Sequence, residues 1–485
     1  MNRHEKKRKA LRWRIVRYII MVSAIASIAT LSVLVLLGYR FNRTTGVIQQ
    51  GGLVQFMSEP TKARVTIGSA KLVDKTPSKI TVNPGEYLVK MEKEKYRMWQ
   101  KNVTIKAGEV LWLNSAKLIP RDIKTETTLS IPKVSDSFAQ PGSGYISILP
   151  ERAKPAIARY DIRSNTVKSE SFNLASLKLA KADKHAYSFT DWDGDKDRAV
   201  LKHAYDNLSE LVLVNYDDNT RSFVVSAIGK ATPIDVIADP RNERNLVVRY
   251  SDGSVRLVDS DDGEVSPVVV SNVSTITSFG SSIVYTRTVG AGKVETGYVT
   301  LDSQQKLKPV RLINTKQPVR FQIQQYFDTY FVTTIIGKNV TLQRTSSLPR
   351  SSDSALVSLK LVTTFALDSV PLDIRALDAG QQVSIRQPSA VTNYDVELKA
   401  LTSTDIAGAE QGADVNVRWL DQFHYYVDTD GTLLQYEYDG ENQSDIVKVT
   451  PGYAAGYSQN GKYLYTVLKT ENGFALQRST MILDS

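Results

Sequence analysis

Seven residues, Asp191-Trp192-Asp193-Gly194-Asp195-Lys196-Asp197, place four carboxylates at alternate positions on a glycine-containing stretch. Ca²⁺ takes roughly six to eight oxygens from flexible turns of this kind, so Asp191, Asp193, Asp195 and Asp197 are the candidate metal ligands. The pattern departs from an EF-hand loop in having Gly194 fourth and Lys202 twelfth. A solvated hairpin turn beside Trp192 is the simpler reading, so the expectation is no cofactor, with calcium as the alternative. His185, His203 and His424 are the histidines beyond the N-terminal tail, and they show neither His-Glu-x-x-His nor another close ligand spacing. The chain has no cysteine, which removes thiolate metal sites, cysteine nucleophiles and disulfides together. It also lacks a Gly-x-Ser-x-Gly elbow and a glycine-rich phosphate loop between a strand and a helix. Two aromatic sets suit ligand binding: Trp99 with Trp112 as a sugar-stacking platform, and Trp419, His424 and Tyr425, next to Tyr426, as a binding face. For both sets core or cross-strand packing is the default, because strands favour aromatic residues in any case.

The elements that must position these residues are strands. From Thr125 onward, short apolar runs recur around Asp193-Gly194, Asp252-Gly253, Asp262-Gly263, Asp430-Gly431, Asp439-Gly440 and Asn460-Gly461, dipeptides that tolerate the positive φ of tight hairpins. Tyr145, Trp192, Pro240, Phe279, Tyr326, Asp378, Trp419 and Tyr457 mark recurring strand pairs at intervals of 38 to 52 residues. Four-stranded propeller blades repeat at about this spacing. The segment Ser458-Gln459-Asn460-Gly461-Lys462-Tyr463-Leu464 is similar to a recurring strand opening of TolB-like and WD-repeat propellers. The fold class expected is therefore all-β, with a β-propeller over 125–485. Seven blades are favoured on length and eight are the other count, while a β-sandwich pair or β-solenoid is the alternative architecture.

Residues 51–120 alternate with period two around Glu59-Pro60, Asn83-Pro84-Gly85-Glu86 and Lys106-Ala107-Gly108-Glu109, read respectively as a turn, a type II turn and a hairpin. Five or six strands in so short a span predict a small β-sandwich. Ser58-Glu59-Pro60, Ala63, Val65, Thr76-Pro77, Pro84-Gly85-Glu86-Tyr87, Val89, Tyr96, Gly108 and Leu118-Ile119-Pro120 together resemble the PEGA domain, named for a Pro-Glu-Gly-Ala turn. Here that turn reads Asn83-Pro84-Gly85-Glu86. The resemblance implies an extracytoplasmic β-sandwich of surface and envelope proteins, and it implies no catalytic residues.

The N-terminus supplies the location. Residues 1–17 form a basic tail with eight Lys/Arg against Glu5, and 18–39 contain no charge. As a helix this apolar run would be about 33 Å long, enough for a bilayer core. The excess of cations before it predicts a cytoplasmic N-terminus. A cleaved secretory signal is the competing reading, but the run ends without a small-x-small cleavage site. Residues 1–43 carry ten Lys/Arg and one acid, so the other 442 carry 51 and 50, and the net charge of +10 is almost all in the tail. A nearly neutral body argues against nucleic acid as partner. The expected protein is a single-pass cell-membrane protein with a tether at 40–50 and an extracytoplasmic binding or scaffolding body. Its partners would be the membrane and an envelope protein or cell-wall glycan, with the oligomeric state left open. The alternative function is a propeller hydrolase or lyase acting on polysaccharide or peptide.

Overall fold

In the computed structural model the described residues are 3–36, 38–41, 46–164, 166–190, 192, 197–239, 241–242, 245–261, 263–301, 305–349, 358–377, 380–406 and 417–484. The chain divides into two compact units, Met1–Asp122 and Ile123–Ser485. The first begins with a helix, Arg3–Leu36, whose section Ile15–Val35 is long and apolar enough to cross a membrane. Its large side chains, Ile19, Ile25, Ile28 and Leu31 among them, are exposed. From the last residue of the uncharged run into the segment read as a tether, Tyr39–Phe41 and Ile48–Gln50 pair as a short antiparallel ribbon.

A sandwich follows. Gly52–Glu59 lies between Ser78–Val82 and Val110–Lys117 in one sheet, and Ala70–Lys71, Arg64–Ile67, Gly85–Glu92 and Trp99–Ile105 make the other. The alternation read in the sequence is that of the fold: Val54 and Phe56 point inward, as do Val65 and Ile67, Val89 and Met91, and Leu111 and Leu113. The connections differ from the expectation. Lys106–Glu109 is not a hairpin, because Val110–Lys117 leaves its predecessor's sheet and pairs in parallel with Gly52–Glu59. Asn83-Pro84 likewise carries the chain from one sheet to the other, and Gly85, at φ +153°, lacks the φ near +80° of a type II turn. Alternation identifies the face a residue presents, but not the strand beside it.

The second unit contains eight sheets among its described residues, one more than the seven favoured on length. In chain order we call them blades 1 to 8: 136–173, 185–225, 233–259, 273–314, 319–366, 373–405, 418–448, and 456–480 joined by the strand Thr125–Ile131. Each has four strands except blade 3, which has three. First strands of neighbouring blades touch, as between Asp136–Phe138 and His185–Thr190 and between Val319–Tyr326 and Asp373–Leu377, so they gather round a common axis.

Both faces of each blade are covered by its neighbours, which explains the nearly continuous apolar runs of the middle strands. Leu208–Asn215 is buried at all but its first residue. The outermost strand Lys168–Asn173 is almost wholly exposed. Val200, Leu211 and Leu213 of blade 2 pack on Val236, Leu246 and Val248 of blade 3. Val391 of blade 6 packs with Tyr425, Val427 and Tyr436 of blade 7.

The ring closes between its ends. Ile146 and Ile148 of blade 1 meet Tyr465, Val467 and Leu476 of blade 8, and Tyr457 of blade 8 donates to Gln435 of blade 7 at 2.6 Å. The closing device is the strand Thr125–Ile131, which comes first in the unit yet forms the outer strand of the last blade, antiparallel to Gly473–Thr480.

Backbone crowding between blades makes one glycine indispensable. Gly380 has φ +90°, and a Cβ there would lie 2.2 Å from the Gln325 carbonyl oxygen, while its own carbonyl accepts from Gln324 Nε2 at 2.7 Å. Gly380→Ala is expected to cost about 2 kcal/mol or more, because the left-handed conformation and the clash with backbone act together. Denaturant unfolding beside wild type measures it; an unchanged midpoint would mean that blades 5 and 6 are not this close.

Candidate ligand site on the ring axis

A cavity of about 310 Å³ lies among residues from five blades. Blade 1 contributes Asp136 and Phe138, blade 2 Phe189 and Trp192, blade 6 Arg375 and Arg386, blade 7 Arg418, Trp419 and Tyr426, and Ala454 and Ala455 lead into blade 8. These positions are far apart in sequence and converge because most stand on or beside first strands.

Several of the polar groups are held by their own blade or the next. Asp136 Oδ1 accepts from the Ser137 amide and Oδ2 from the Phe189 amide, both at 2.8 Å, which ties blade 1 to blade 2. Arg375 Nε donates to Asp373 Oδ2 at 2.6 Å, and Asp373 Oδ1 accepts from the Ile374 amide. Arg418 Nη2 donates to the Gly452 carbonyl at 2.7 Å. Burial works against the Arg418 charge, but the Tyr426 phenol, Asp428 and Asp136 outweigh it and raise its pKa above the ordinary guanidinium value. Burial pushes the Asp428 carboxyl up, partly offset by the Gly452 amide it accepts from and by Arg418. Burial likewise raises the Tyr426 phenol, whose oxygen accepts from the Ala455 amide at 2.8 Å. Phe138 and Phe189 stack with ring centres 5.8 Å apart. The wall thus joins fixed guanidinium groups to aromatic faces.

The sequence candidates fare unequally. Trp419 reaches the cavity, but His424 and Tyr425 do not: His424 is buried with Nδ1 bonded to Asp421 Oδ1 at 2.8 Å, and Tyr425 is 0% exposed, stacked on Tyr436 and edge-on to Trp419. Strand alternation sends neighbours to opposite faces, so these three cannot form one binding face. Trp99 and Trp112 are also divided. Trp99 is 2% exposed inside the sandwich core and Trp112 is 53% exposed on the other sheet, so they make no common platform.

Of the acidic cluster, Asp191, Asp193 and Asp195 lie outside the described residues. Asp197 is described, and its carboxylate pairs at 2.9 Å with Arg159, a buried guanidinium stacked between Tyr145 and Tyr216. His185 and His203, 18 positions apart in sequence, are brought edge to face at 5.5 Å. The His185 ring nitrogens lie 3.0 and 3.1 Å from the Ala182 and Ala153 carbonyls, and His203 Nδ1 lies 2.8 Å from Glu210 Oε1. No group of three or more His, Asp or Glu suited to a metal ion occurs among the described residues.

Sequence reasoning missed Asp136, Arg375, Arg386 and Arg418 as cavity residues. A signal existed, since Arg418 stands one position before the repeat marker Trp419 and Arg375 three before Asp378. Asp136, at the start of a first strand, and Arg386, at the end of a second, carry no such mark. A larger cavity of about 730 Å³ lies among blades 4, 5 and 6, but its cation, Lys308, is turned to Thr300 Oγ1 at 2.7 Å and no second charge joins it among the described residues.

Residues 52–118 match the PEGA domain family. No curated protein matches the chain. Similar solved structures include the β-propeller domain of Myceliophteria thermophila Cps50 (Swd1), at 11% identity and a TM-score of 0.41, covering 67% of this chain and 100% of that one. An oligogalacturonate lyase in complex with manganese matches at 11% identity and a TM-score of 0.42, covering 73% and 98%. Dihydro-heme d1 dehydrogenase NirN in complex with DHE matches at 11% identity and 0.44, covering 74% and 75%.

Proposed function

We propose that this chain is a membrane-anchored binding or scaffolding protein of the bacterial cell envelope, with the PEGA domain and propeller outside the cytoplasm and the axial cavity as its ligand seat. The observation that carries the reading is the convergence of side chains from five blades on one cavity. Binding without turnover is supported by how the cavity's acid and phenol are engaged. Asp136 spends both oxygens on backbone amides and the Tyr426 oxygen accepts another, whereas a hydrolase or lyase needs such groups turned toward a substrate. The anchor is supported by Ile15–Val35 and by the eight cations that precede residue 18. The partner is a wall glycan or an envelope protein.

Because the chain has no cysteine, single cysteines report topology cleanly. In intact cells a membrane-impermeant maleimide is expected to label Val73→Cys, at a position 98% exposed, and to leave Asn2→Cys unlabelled until the membrane is breached. The opposite pattern would sink the extracytoplasmic reading. In the same cells, a photo-crosslinker placed at Trp419 is expected to capture envelope material, with glycan and protein distinguished by mass spectrometry. Capture of cytoplasmic proteins alone would overturn the assignment.

A further inference from the structure

We infer that the paired strands Tyr39–Phe41 and Ile48–Gln50 lie in the interfacial layer of the bilayer, with Phe41 and Ile48 among lipid headgroups and upper acyl chains, and seat the sandwich on the membrane surface. This rests on the membrane anchor proposed above and names a second lipid contact beyond the helix.

The chain doubles back where it leaves the helix. Gly38, at φ +81°, follows the last turn, and its amide donates to the Val35 carbonyl at 3.0 Å. Tyr39–Phe41 then runs out and Ile48–Gln50 returns, so that the Gly51 amide donates to the Gly38 carbonyl at 2.9 Å. Residues 39–50 therefore add almost no distance between helix and sandwich. The Gly51 carbonyl in turn accepts from the Gly108 amide at 3.0 Å, and the Leu53 amide donates to the Glu109 carbonyl at 2.9 Å. The sandwich end at Gly108 is thus tied through Gly51 to the residue that stops the helix.

Depth follows from chain length. The uncharged run ends at Tyr39, and Phe41 stands three positions beyond Gly38, about 10 Å of extended chain at most. The interfacial layer adds roughly 5 to 8 Å to each side of the hydrocarbon core, so a strand that leaves the helix at an incline stays within it. Phe41 and Ile48 face each other in register and are 63% and 62% exposed, and Val47 beside them is exposed too. Two strands of three residues hold poorly in water by themselves, so this apolar pair needs a cover. Continuity names it: the exposed Ile25, Ile28 and Leu31 of the helix form a lipid-facing surface that leads directly into the ribbon. Tyr39, which opens the ribbon, is a residue type that membrane interfaces favour.

The test is fluorescence quenching of the full chain reconstituted in phosphatidylcholine vesicles that contain lipid spin-labelled near the head or near the end of its acyl chain. Because the chain has no cysteine, Ala107→Cys, Ile48→Cys, Ile25→Cys and Val73→Cys each carry one nitrobenzoxadiazole dye. Ile25 reports the span, Ala107 the sandwich end beside Gly108, and Val73, 98% exposed, the water. The shallow quencher is expected to act severalfold more on Ala107 and Ile48 than on Val73, and the deep quencher to act on Ile25. Adding Phe41→Ser and Ile48→Ser, both at exposed positions, should bring Ala107 down toward the Val73 level. Ala107 and Ile48 quenched no more than Val73, or Ala107 unchanged in the double serine variant, would each overturn the proposal while a quenched Ile25 leaves the anchor standing. Self-quenching at Ile48 that rises with protein density, without lipid quenching, would assign the cover to a second copy and overturn it as well. An unquenched Ile25 would instead remove the anchor itself, and this proposal with it.

Discussion

Replacing Thr125 and Ser479 by cysteine should lock the propeller. The two residues face each other across the ladder between the first and last strands of the unit, with side-chain oxygens 2.8 Å apart, although 354 positions separate them in sequence. Directly paired residues on antiparallel strands have the Cα separation a disulfide needs. With no other cysteine, no competing pairing exists. In the chain-entropy account a loop of this length constrains the unfolded state by about 6 kcal/mol. The oxidised form is expected to melt roughly 10 °C above the reduced form. Deleting residues 123–131 should do the reverse, because it exposes the edge of Gly473–Thr480 and removes the Glu126–Arg478 pair and the Thr128 hydroxyl bond to the Leu476 carbonyl. Failure of the disulfide to form under mild oxidation, read on a non-reducing gel, would mean that the first strand does not close blade 8.

The second large effect is expected inside blade 2. His203 and Glu210 face each other in register on its two middle strands, are 0% and 2% exposed, and meet at 2.8 Å. Glu210 Oε1 also accepts from the Ala180 amide at 2.9 Å, and the His203 ring lies flat on Tyr187 with centres 4.3 Å apart. Glu210→Ala would strand the buried His203 ring and the half-buried Ala180 amide and leave a void, and removing one member of a buried pair costs about 3 to 5 kcal/mol. Glu210→Gln keeps an acceptor for His203 and should lose about 1 to 2 kcal/mol. Denaturant midpoints for both variants, for His203→Ala and for the Glu210→Ala/His203→Ala double variant test this as a double-mutant cycle. Equal, small losses for Glu210→Ala and Glu210→Gln would show that the pair is open to water. Sequence offers no hint of it, since a histidine and a glutamate seven residues apart become partners only when the hairpin between them fixes the register.

The repeat markers show how near sequence came to the blade count. Seven of the eight lie at or within two residues of the end of a first strand: Trp192 after His185–Thr190, Phe279, Tyr326, Trp419 and Tyr457 at strand ends, Pro240 two positions after a strand that ends at Ala238, and Asp378 one position after a strand that ends at Leu377. Tyr145 opens the second strand of blade 1. Eight markers correspond to eight blades; dividing length by an average blade pointed to seven. Among the described residues blade 3 has three strands, and blades 7 and 8 have first strands of only two residues, so some blades are shorter than an average length assumes.

The sequence by itself determined what is local. An uncharged run makes a helix able to cross a membrane, alternation makes strands, and turn dipeptides place hairpins, as at Asp430-Gly431 with φ of +51° and +70°. These follow from covalent geometry and the separation of apolar from polar side chains, which act over a few residues. Tertiary structure alone decided what depends on pairing between distant segments. It made Thr125–Ile131 the partner of Gly473–Thr480, crossed the sandwich strands between sheets and buried Trp99 while exposing Trp112. It also drew Asp136, Arg375, Arg386 and Arg418 to one cavity while turning His424 and Tyr425 away from it. A closed ring brings the same edge of every blade to its axis, so residues that share a cavity are chosen by their place in the blade rather than by their distance along the chain.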